Sequence, residues 1–108
     1  MLTNRTKKEK SVETKLEVVM QILRNKKSQL FQKYPIQELA VFGSVGRDEA
    51  TAQSDVDILV TFREPVGMEF IWLSQDLSDF LGKKVDLVSQ NTLKEYYWNS
   101  IKNDLNYV

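Results

Sequence analysis

The segment from Asp55 to Thr61 places two acidic residues inside a strongly apolar, alternating run. Alternation with a period of two is typical of a β-strand, whose neighbouring side chains point to opposite faces. Aspartate is depleted in strand interiors, so both the fold around this strand and the purpose of its two carboxylates need a specific explanation. We expect one face, with Val56, Ile58 and Val60, to lie in the core, and the other face to carry Asp55, Asp57 and Leu59.

Hydrophobic spacing predicts the elements around this strand. They are a helix from Val12 to Tyr34, a strand from Ile36 to Phe42, a single helical turn from Arg47 to Ala50, a helix from Met68 to Leu81, a strand from Lys84 to Val88, and a last helix from Thr92 to about Asn103. Pro35 and Gly82 stand where helices should end, and Thr92 is the expected N-cap of the last helix. The order predicts an α/β (α+β) fold, a small mixed β-sheet with helices packed on one side.

Composition narrows the chemistry that this chain can perform. The 108 residues predict one domain, 12–108, preceded by a flexible basic N-terminal arm, 1–11. Histidine and cysteine are absent, which excludes the usual general base, thiolate zinc sites and a cysteine nucleophile. Fifteen basic residues balance fifteen acidic ones, so a broad nucleic-acid-binding surface is not expected. No apolar run reaches a membrane span and no secretory signal is evident, so we expect a cytoplasmic protein.

Asp55 and Asp57 are candidates for metal binding. Residues two apart in a strand share a face, with Cα atoms about 7 Å apart, and two carboxylates that close repel one another unless a cation lies between them. Mg²⁺ prefers a few carboxylates together with water and substrate phosphates, and two such ions can clamp a phosphoryl displacement. The alternative is that the two aspartates only form the polar face of a half-exposed strand.

Two further groups extend this candidate site. Gly43 and Ser44 follow a buried strand, where glycine permits close backbone approach to a ligand, and free amides and a hydroxyl suit phosphate oxygens. Arg47 offers a bidentate fork for phosphate. Asp86 lies in an apolar strand on the face opposite Val85, and would act as a general base or as a third metal ligand. Taken singly, the Gly-Ser pair is more often an ordinary turn, and Asp86 is more often an ordinary surface aspartate.

Together the motifs resemble the signature of the polymerase-β-like nucleotidyltransferases, Gly-Ser followed after ten residues by Asp-x-Asp. The runs Phe42–Ala50 and Ser54–Val60 are similar to the minimal nucleotidyltransferase (MNT) subfamily, and Leu81–Val88 is similar to the segment that carries its third carboxylate. The resemblance extends from about residue 14 to the end of the chain and implies the polymerase-β-like fold. It implies that the catalytic and metal-binding residues are Asp55, Asp57 and Asp86, which would hold Mg²⁺, with two ions expected. It implies that the nucleotide-binding residues are Gly43, Ser44 and Arg47, with ATP as the substrate.

Members of this size resemble antitoxins encoded beside a HEPN-domain ribonuclease toxin. The resemblance therefore implies a protein adenylyltransferase that moves AMP from ATP to a tyrosine hydroxyl of the toxin, and that also binds the toxin in a hetero-oligomer or acts as a homo-oligomer. Two alternatives stay open: a non-catalytic antitoxin that occludes its toxin, and a transferase acting on a small molecule such as an antibiotic. One departure from the family pattern is Asp48, where many relatives have glycine, since it places a negative charge near the phosphate site.

Aromatic residues are concentrated near the predicted helices. We expect most of Trp72, Tyr96, Tyr97 and Trp98 to pack inside the fold. The three consecutive aromatics cannot all face inward from one helix, and an exposed member would suit a partner surface.

Overall fold

The computed structural model describes residues 14–108, so the predicted arm and the first two residues of the predicted first helix lie outside the described part of the chain. Eight helices and strands are observed within it. They are α1 (Leu16–Lys33), β1 (Ile36–Phe42), α2 (Gly43–Gly46), β2 (Val56–Phe62), α3 (Glu69–Leu81), β3 (Val85–Ser89), α4 (Glu95–Ile101) and β4 (Asn106–Tyr107). Two 3₁₀ turns, Gln90–Thr92 and Lys102–Asp104, flank α4.

The four strands form one mixed sheet in the order β3-β2-β1-β4. β1 runs antiparallel to both β2 and β4, whereas β2 and β3 are parallel. Parallel neighbours need a crossover, and α3 supplies it between β2 and β3. The predicted fold class, a small mixed sheet with helices, is confirmed, but the helices do not all pack on one side, because Ile101 of α4 packs against the face opposite α1 and α3.

The main core lies between one face of the sheet and the two long helices. The aliphatic face of β2 is fully buried there, which confirms the predicted strand phase. Leu23 and Leu30 of α1 and Leu73 and Leu77 of α3 meet this face, and each is almost completely buried. Alternation along β2 therefore supplies one apolar surface for both helices.

The opposite face of the sheet is covered only in part. Phe42 and Leu59 form a second apolar cluster there with Ile101 of α4, and Trp98 packs against it. The two long helices thus cover one face, and the short α4 covers the middle of the other. Because Asp57 lies two residues before Leu59 on that face, the carboxylate end of β2 lies beside this cluster and stays half-buried.

Two predicted helix positions were wrong. The single helical turn forms at Gly43–Gly46, directly after β1, and not at Arg47–Ala50. The last helix begins at Glu95 after an N-cap lysine, and Thr92 caps no helix but ends a 3₁₀ turn. That turn is held to β2 by Asn91, whose side chain accepts from the Phe62 amide (3.1 Å) and donates to the Phe62 carbonyl oxygen (3.3 Å). These contacts compete with earlier helix formation.

The expectation that most of the singled-out aromatics are internal was also wrong. Trp72, Tyr96 and Tyr97 are exposed, and only Trp98 is half-buried. The expectation that the three consecutive aromatics could not all face inward is confirmed. Between residues 14 and 108, no helix is both long enough and apolar enough to cross a membrane.

Candidate active site

The register between β2 and β3 brings the predicted carboxylates together. Asp57 lies directly opposite Asp86 in the parallel pair, so both side chains stand on the same face of the sheet. Asp55 lies two residues earlier, where the Val56 amide continues the pairing by donating to the Lys84 carbonyl oxygen (3.0 Å). Asp86, which is distant in sequence, therefore shares one end of two neighbouring strands with Asp55 and Asp57.

The charges of this cluster affect one another. Partial burial raises the pKa of Asp57 above its usual range, and repulsion from Asp86 and Asp55 raises it further, against a smaller lowering by Arg47. A raised carboxyl pKa means that the ionised form is disfavoured in the free protein. Positive charge from a bound cation would relieve this cost.

The donor set of the cluster fits a hard divalent cation. Carboxylate oxygens are the ligands that Mg²⁺ takes, usually one or two of them, with the remaining positions filled by water and substrate phosphates. In residues 14–108, no three acidic side chains stand close enough together to form a metal site by themselves. Asp57 and Asp86, paired across the two strands, offer carboxylates of the kind that Mg²⁺ takes together with water and substrate phosphates. Asp55 also lies 3.9 Å from Lys84 Nζ, an exposed pair that contributes little.

Gly43 joins the two halves of the motif in space. β1 ends at Phe42, which pairs with Asp57, and the next residue turns with φ of +70°, in the left-handed region that favours glycine. A Cβ atom on Gly43 would overlap the Asp57 carboxylate and lie 2.9 Å from its Cγ. Glycine is therefore favoured here both by its backbone conformation and by the space beside Asp57, and the backbone of the turn rests against the carboxylate.

Ser44 and Arg47 lie in and just after the turn that Gly43 starts. Ser44 is half-buried, and its carbonyl oxygen accepts from the Glu49 amide (2.8 Å). Arg47 donates to Glu49 Oε1 (3.1 Å) and to Asp104 Oδ2 (3.2 Å), and these hydrogen bonds raise the pKa of its guanidinium. Its guanidinium is hydrogen-bonded to the carboxylates of Glu49 and Asp104 in this conformation, so a bound phosphate would have to replace one of them. The nucleotide-binding roles of these residues stay predictions.

Asp48, the departure from the family pattern, has a structural partner. Its φ of +58° lies in the left-handed region, which explains why glycine suits this position. Its Oδ1 accepts from the Leu16 amide (3.1 Å) at the first turn of α1. A carboxylate at a helix N-terminus is favourable. The Asp48 side chain therefore caps α1, which a glycine at this position could not do.

The sequence prediction missed a group of residues at the C-terminal end that contact the turn. Asp104 pairs with Arg47, and Asn106 of β4 donates to carbonyl oxygens of Val41 and Gly46. A two-residue strand has no periodicity to detect, so no sequence signal pointed to it.

A second concavity lies elsewhere on the sheet. A cleft of about 390 Å³ is lined by Phe62, Val66, Ser89 and Asn91, at the carboxyl ends of β2 and β3. The three carboxylates lie at the opposite ends of the same strands. We assign the site to the carboxylates because charge and motif geometry coincide there.

A mixed sheet with paired strand aspartates beside a glycine turn is the arrangement that the resemblance to nucleotidyltransferases implied. Residues 20–108 match the family of nucleotidyltransferase domains. The chain belongs to this family and is a nucleotidyltransferase.

Relatives match along most of their length. A Methanocaldococcus jannaschii protein named as a candidate protein adenylyltransferase is 47% identical over 92 residues, covering 83% of this chain and 94% of its own. The protein adenylyltransferase MntA of Thermococcus cleftensis is 40% identical over 94 residues, covering 86% and 95%.

Solved structures show the same fold. One described as a candidate minimal nucleotidyltransferase has a TM-score of 0.68 at 29% identity, covering 85% of this chain and 94% of its own. A toxin–antitoxin complex with AMP-PNP contains a chain with a TM-score of 0.58 at 26% identity, covering 68% and 61%. A complex of a tri-AMPylated Shewanella oneidensis HEPN toxin with an MNT antitoxin has a TM-score of 0.60 at 22% identity, covering 81% and 69%, which shows a likeness of fold.

Proposed function

We propose that this chain is a Mg²⁺-dependent protein adenylyltransferase that moves AMP from ATP to a tyrosine hydroxyl of a partner HEPN ribonuclease toxin, and so acts as its antitoxin. The observation that carries the proposal is the pairing of Asp57 with Asp86, with Gly43 packed against the Asp57 carboxylate. The relatives named as protein adenylyltransferases support the reaction class. The likeness to a chain in a complex with AMP-PNP supports an adenine nucleotide.

The side chains of the site take separate roles. Asp55 and Asp57 would hold Mg²⁺, with two ions expected, and the metal would supply positive charge to neutralise the phosphates and the leaving group. Gly43 and Ser44 bind the phosphates, and Arg47 assists once it releases a carboxylate. Asp86 either accepts the proton of the attacking hydroxyl or serves as a third metal ligand.

The transfer balances without a further co-reactant. The acceptor oxygen forms a bond to the α-phosphorus of ATP, the bond between that phosphorus and the bridging oxygen breaks, and pyrophosphate leaves with the electron pair. The hydroxyl proton passes to Asp86 or to water. Asp86 is exposed and the other two aspartates are half-buried, so an acceptor hydroxyl on a second protein has access from solvent.

A label-transfer assay tests the proposal. The full chain is incubated with the partner encoded beside it, Mg²⁺, and ATP radiolabelled at the α-phosphate. We expect label on the partner, no label after chelation of Mg²⁺, and loss of about a hundredfold or more in Asp55→Ala/Asp57→Ala. A matched control is Glu17→Ala/Asp79→Ala, which removes two exposed helix carboxylates. Transfer that survives the first double substitution, or no transfer by the wild type, refutes the proposal.

Neutralisation by binding alone is a second candidate, which one surface favours. Met68, Ile71 and Trp72 are each more than half exposed and lie at helical spacing at the start of α3. Exposed apolar residues of this kind are typical of partner surfaces. If occlusion is the mechanism, the Asp55→Ala/Asp57→Ala variant will still bind the toxin and inhibit its ribonuclease fully.

A further inference from the structure

Asn106 forms a bridge at the base of the Gly43–Gly46 turn. Its Nδ2 lies 2.9 Å from the Gly46 carbonyl oxygen, 3.2 Å from that of Val41 and 3.0 Å from that of Asp104. An amide nitrogen has only two hydrogens, so three acceptors use its full donor capacity with one hydrogen shared. Val41 precedes the turn and Gly46 ends it, so one side chain ties together both ends of the segment that carries Gly43 and Ser44.

The turn has little to hold it in place by itself. Its internal hydrogen bonds are Arg47 amide to Gly43 (3.0 Å), Asp48 amide to Val45 (2.9 Å) and Glu49 amide to Ser44 (2.8 Å), each to the carbonyl oxygen. A single helical turn fixes many dihedral angles for few hydrogen bonds, so it needs support from outside. Val45 packs into the core, and Asn106 supplies the polar support.

Gly46 makes room for this bridge. A Cβ atom there would lie 3.0 Å from the Val41 carbonyl oxygen, 3.1 Å from that of Asp104 and 3.2 Å from Asn106 Nδ2. All three contacts are tighter than ordinary packing, and two are to backbone atoms that do not move aside easily. The second glycine of the turn is therefore explained by space for the Asn106 amide, whereas the first is explained by Asp57.

We infer that Asn106 is a positioning residue for nucleotide binding. It fixes the distance between β1 and the end of the turn, and so holds the turn, with Gly43 at its start, against the Asp57 carboxylate of β2. Asp104 reinforces the same contact by holding Arg47. The inference rests on the proposed nucleotide site, and it assigns to β4 a role in that site beyond completing the sheet.

Asn106→Asp tests this role because it keeps the size of the side chain and replaces both donor hydrogens with an acceptor oxygen. Isothermal titration with AMP-PNP and Mg²⁺ should show affinity on the order of tenfold weaker, the scale expected when a partly buried hydrogen-bonded group loses its partner. KM for ATP should rise more than kcat falls. Asn103→Asp is the matched control, since Asn103 is an exposed neighbour that undergoes the same chemical change.

Gly46→Ala disturbs the same contact from the other side. If both residues act through one contact, the double variant should be about as impaired as either single variant, instead of showing the product of the two losses. Independent losses, or an AMP-PNP affinity in Asn106→Asp equal to that of Asn103→Asp, overturn the inference. Hydrogen exchange at the amides of residues 47–49 gives a readout without nucleotide, and it should accelerate in Asn106→Asp only.

The two proposals fail separately. If the wild type binds AMP-PNP but transfers no label, the proposed reaction is wrong and the titration still decides the role of Asn106. If the wild type binds no AMP-PNP, the nucleotide site is wrong. If amide hydrogen exchange at residues 47–49 is also unchanged in Asn106→Asp, the inferred effect of Asn106 on the turn is refuted as well.

Discussion

Two glycines of this chain adopt left-handed backbone angles, and only one of them touches the site. Gly43 has φ of +70° and Gly82 has φ of +64°, but a Cβ atom on Gly82 meets nothing within 4 Å. Alanine at either position incurs the left-handed penalty, about 1–2 kcal/mol. For a domain of this size, that should lower Tm by roughly 5–15 °C. Gly82→Ala therefore measures backbone strain alone.

Gly43→Ala adds a steric effect on Asp57. The new Cβ would lie 2.9 Å from Asp57 Cγ. Ordinary carbon contacts begin near 3.5 Å, so the carboxyl carbon has to move by about half an ångström and its oxygen farther. Turning a side chain off its rotamer costs about 0.5–1.5 kcal/mol, so Gly43→Ala should be slightly less stable than Gly82→Ala.

The two variants should differ far more in activity than in stability. A misplacement of about 1 Å in a catalytic group can cost a hundredfold in rate, so Gly43→Ala should lose about that much label transfer. Gly82→Ala should keep wild-type transfer when assayed well below its Tm. Both are compared by thermal unfolding and by the radiolabel assay. A Gly43→Ala variant that matches Gly82→Ala in transfer would refute the proposed contact between turn and carboxylate.

Three further predictions concern single aspartates. Burial raises the pKa of Asp76, but hydrogen bonds from Lys33, the last residue of α1, and from Tyr34, which follows it, lower the pKa more, so the net pKa is below the usual range. The Asp76 carboxylate therefore stabilises the fold at neutral pH, and this contribution is lost as the pH falls through the lowered pKa. Asp76→Asn should lower the free energy of unfolding by about 1–2 kcal/mol at neutral pH and leave it unchanged in acid. Asp48→Ala should cost about 1–3 kcal/mol because it removes the α1 cap and keeps the left-handed backbone, whereas Asp48→Gly should be nearly neutral. Asp57→Asn should raise Tm in Mg²⁺-free neutral buffer while abolishing transfer, because it removes a charge that burial and neighbouring carboxylates disfavour.

A specific result would contradict each of these three predictions. Asp79→Asn, an exposed change on the same helix, is the control for Asp76→Asn, and equal Tm values for the two would contradict the first. If Asp48→Ala and Asp48→Gly lower the free energy of unfolding equally, the whole loss comes from the missing cap and none comes from strain in the left-handed backbone. A lower Tm in Asp57→Asn would mean that the Asp57 carboxylate stabilises the free domain. That result would contradict the prediction, because the raised pKa of Asp57 means that its ionised form is disfavoured.

Local patterns predicted the strands of the site well because strand alternation is a local property. β1 has the predicted bounds, and the faces of β2 and β3 are those expected from the aliphatic residues. The pairing of Asp57 with Asp86 is not local. It depends on the parallel register that the α3 crossover sets, and neither strand's own sequence contains that information.

The wrong predictions were those in which distant contacts override local preference. Gly43 starts a helical turn because its left-handed backbone redirects the chain directly after β1, ahead of the segment that pattern alone favoured. Asn91 holds its 3₁₀ turn against β2 and delays the last helix to Glu95. Trp72 was expected inside, although the inward positions of α3 are already filled by Leu73 and Leu77.

The alternation of β2 keeps its core and its chemistry on separate faces. Its aliphatic face is fully buried under α1 and α3, whereas Asp55 and Asp57 stand half-buried on the other face, beside the cluster that α4 covers. Repulsion among the carboxylates therefore acts where solvent can moderate it, and the packing that stabilises the fold does not depend on their charge. For this reason, aspartate-to-asparagine substitutions in the site should report on chemistry in a protein that is still folded, and a loss of transfer in them cannot be attributed to a lost core.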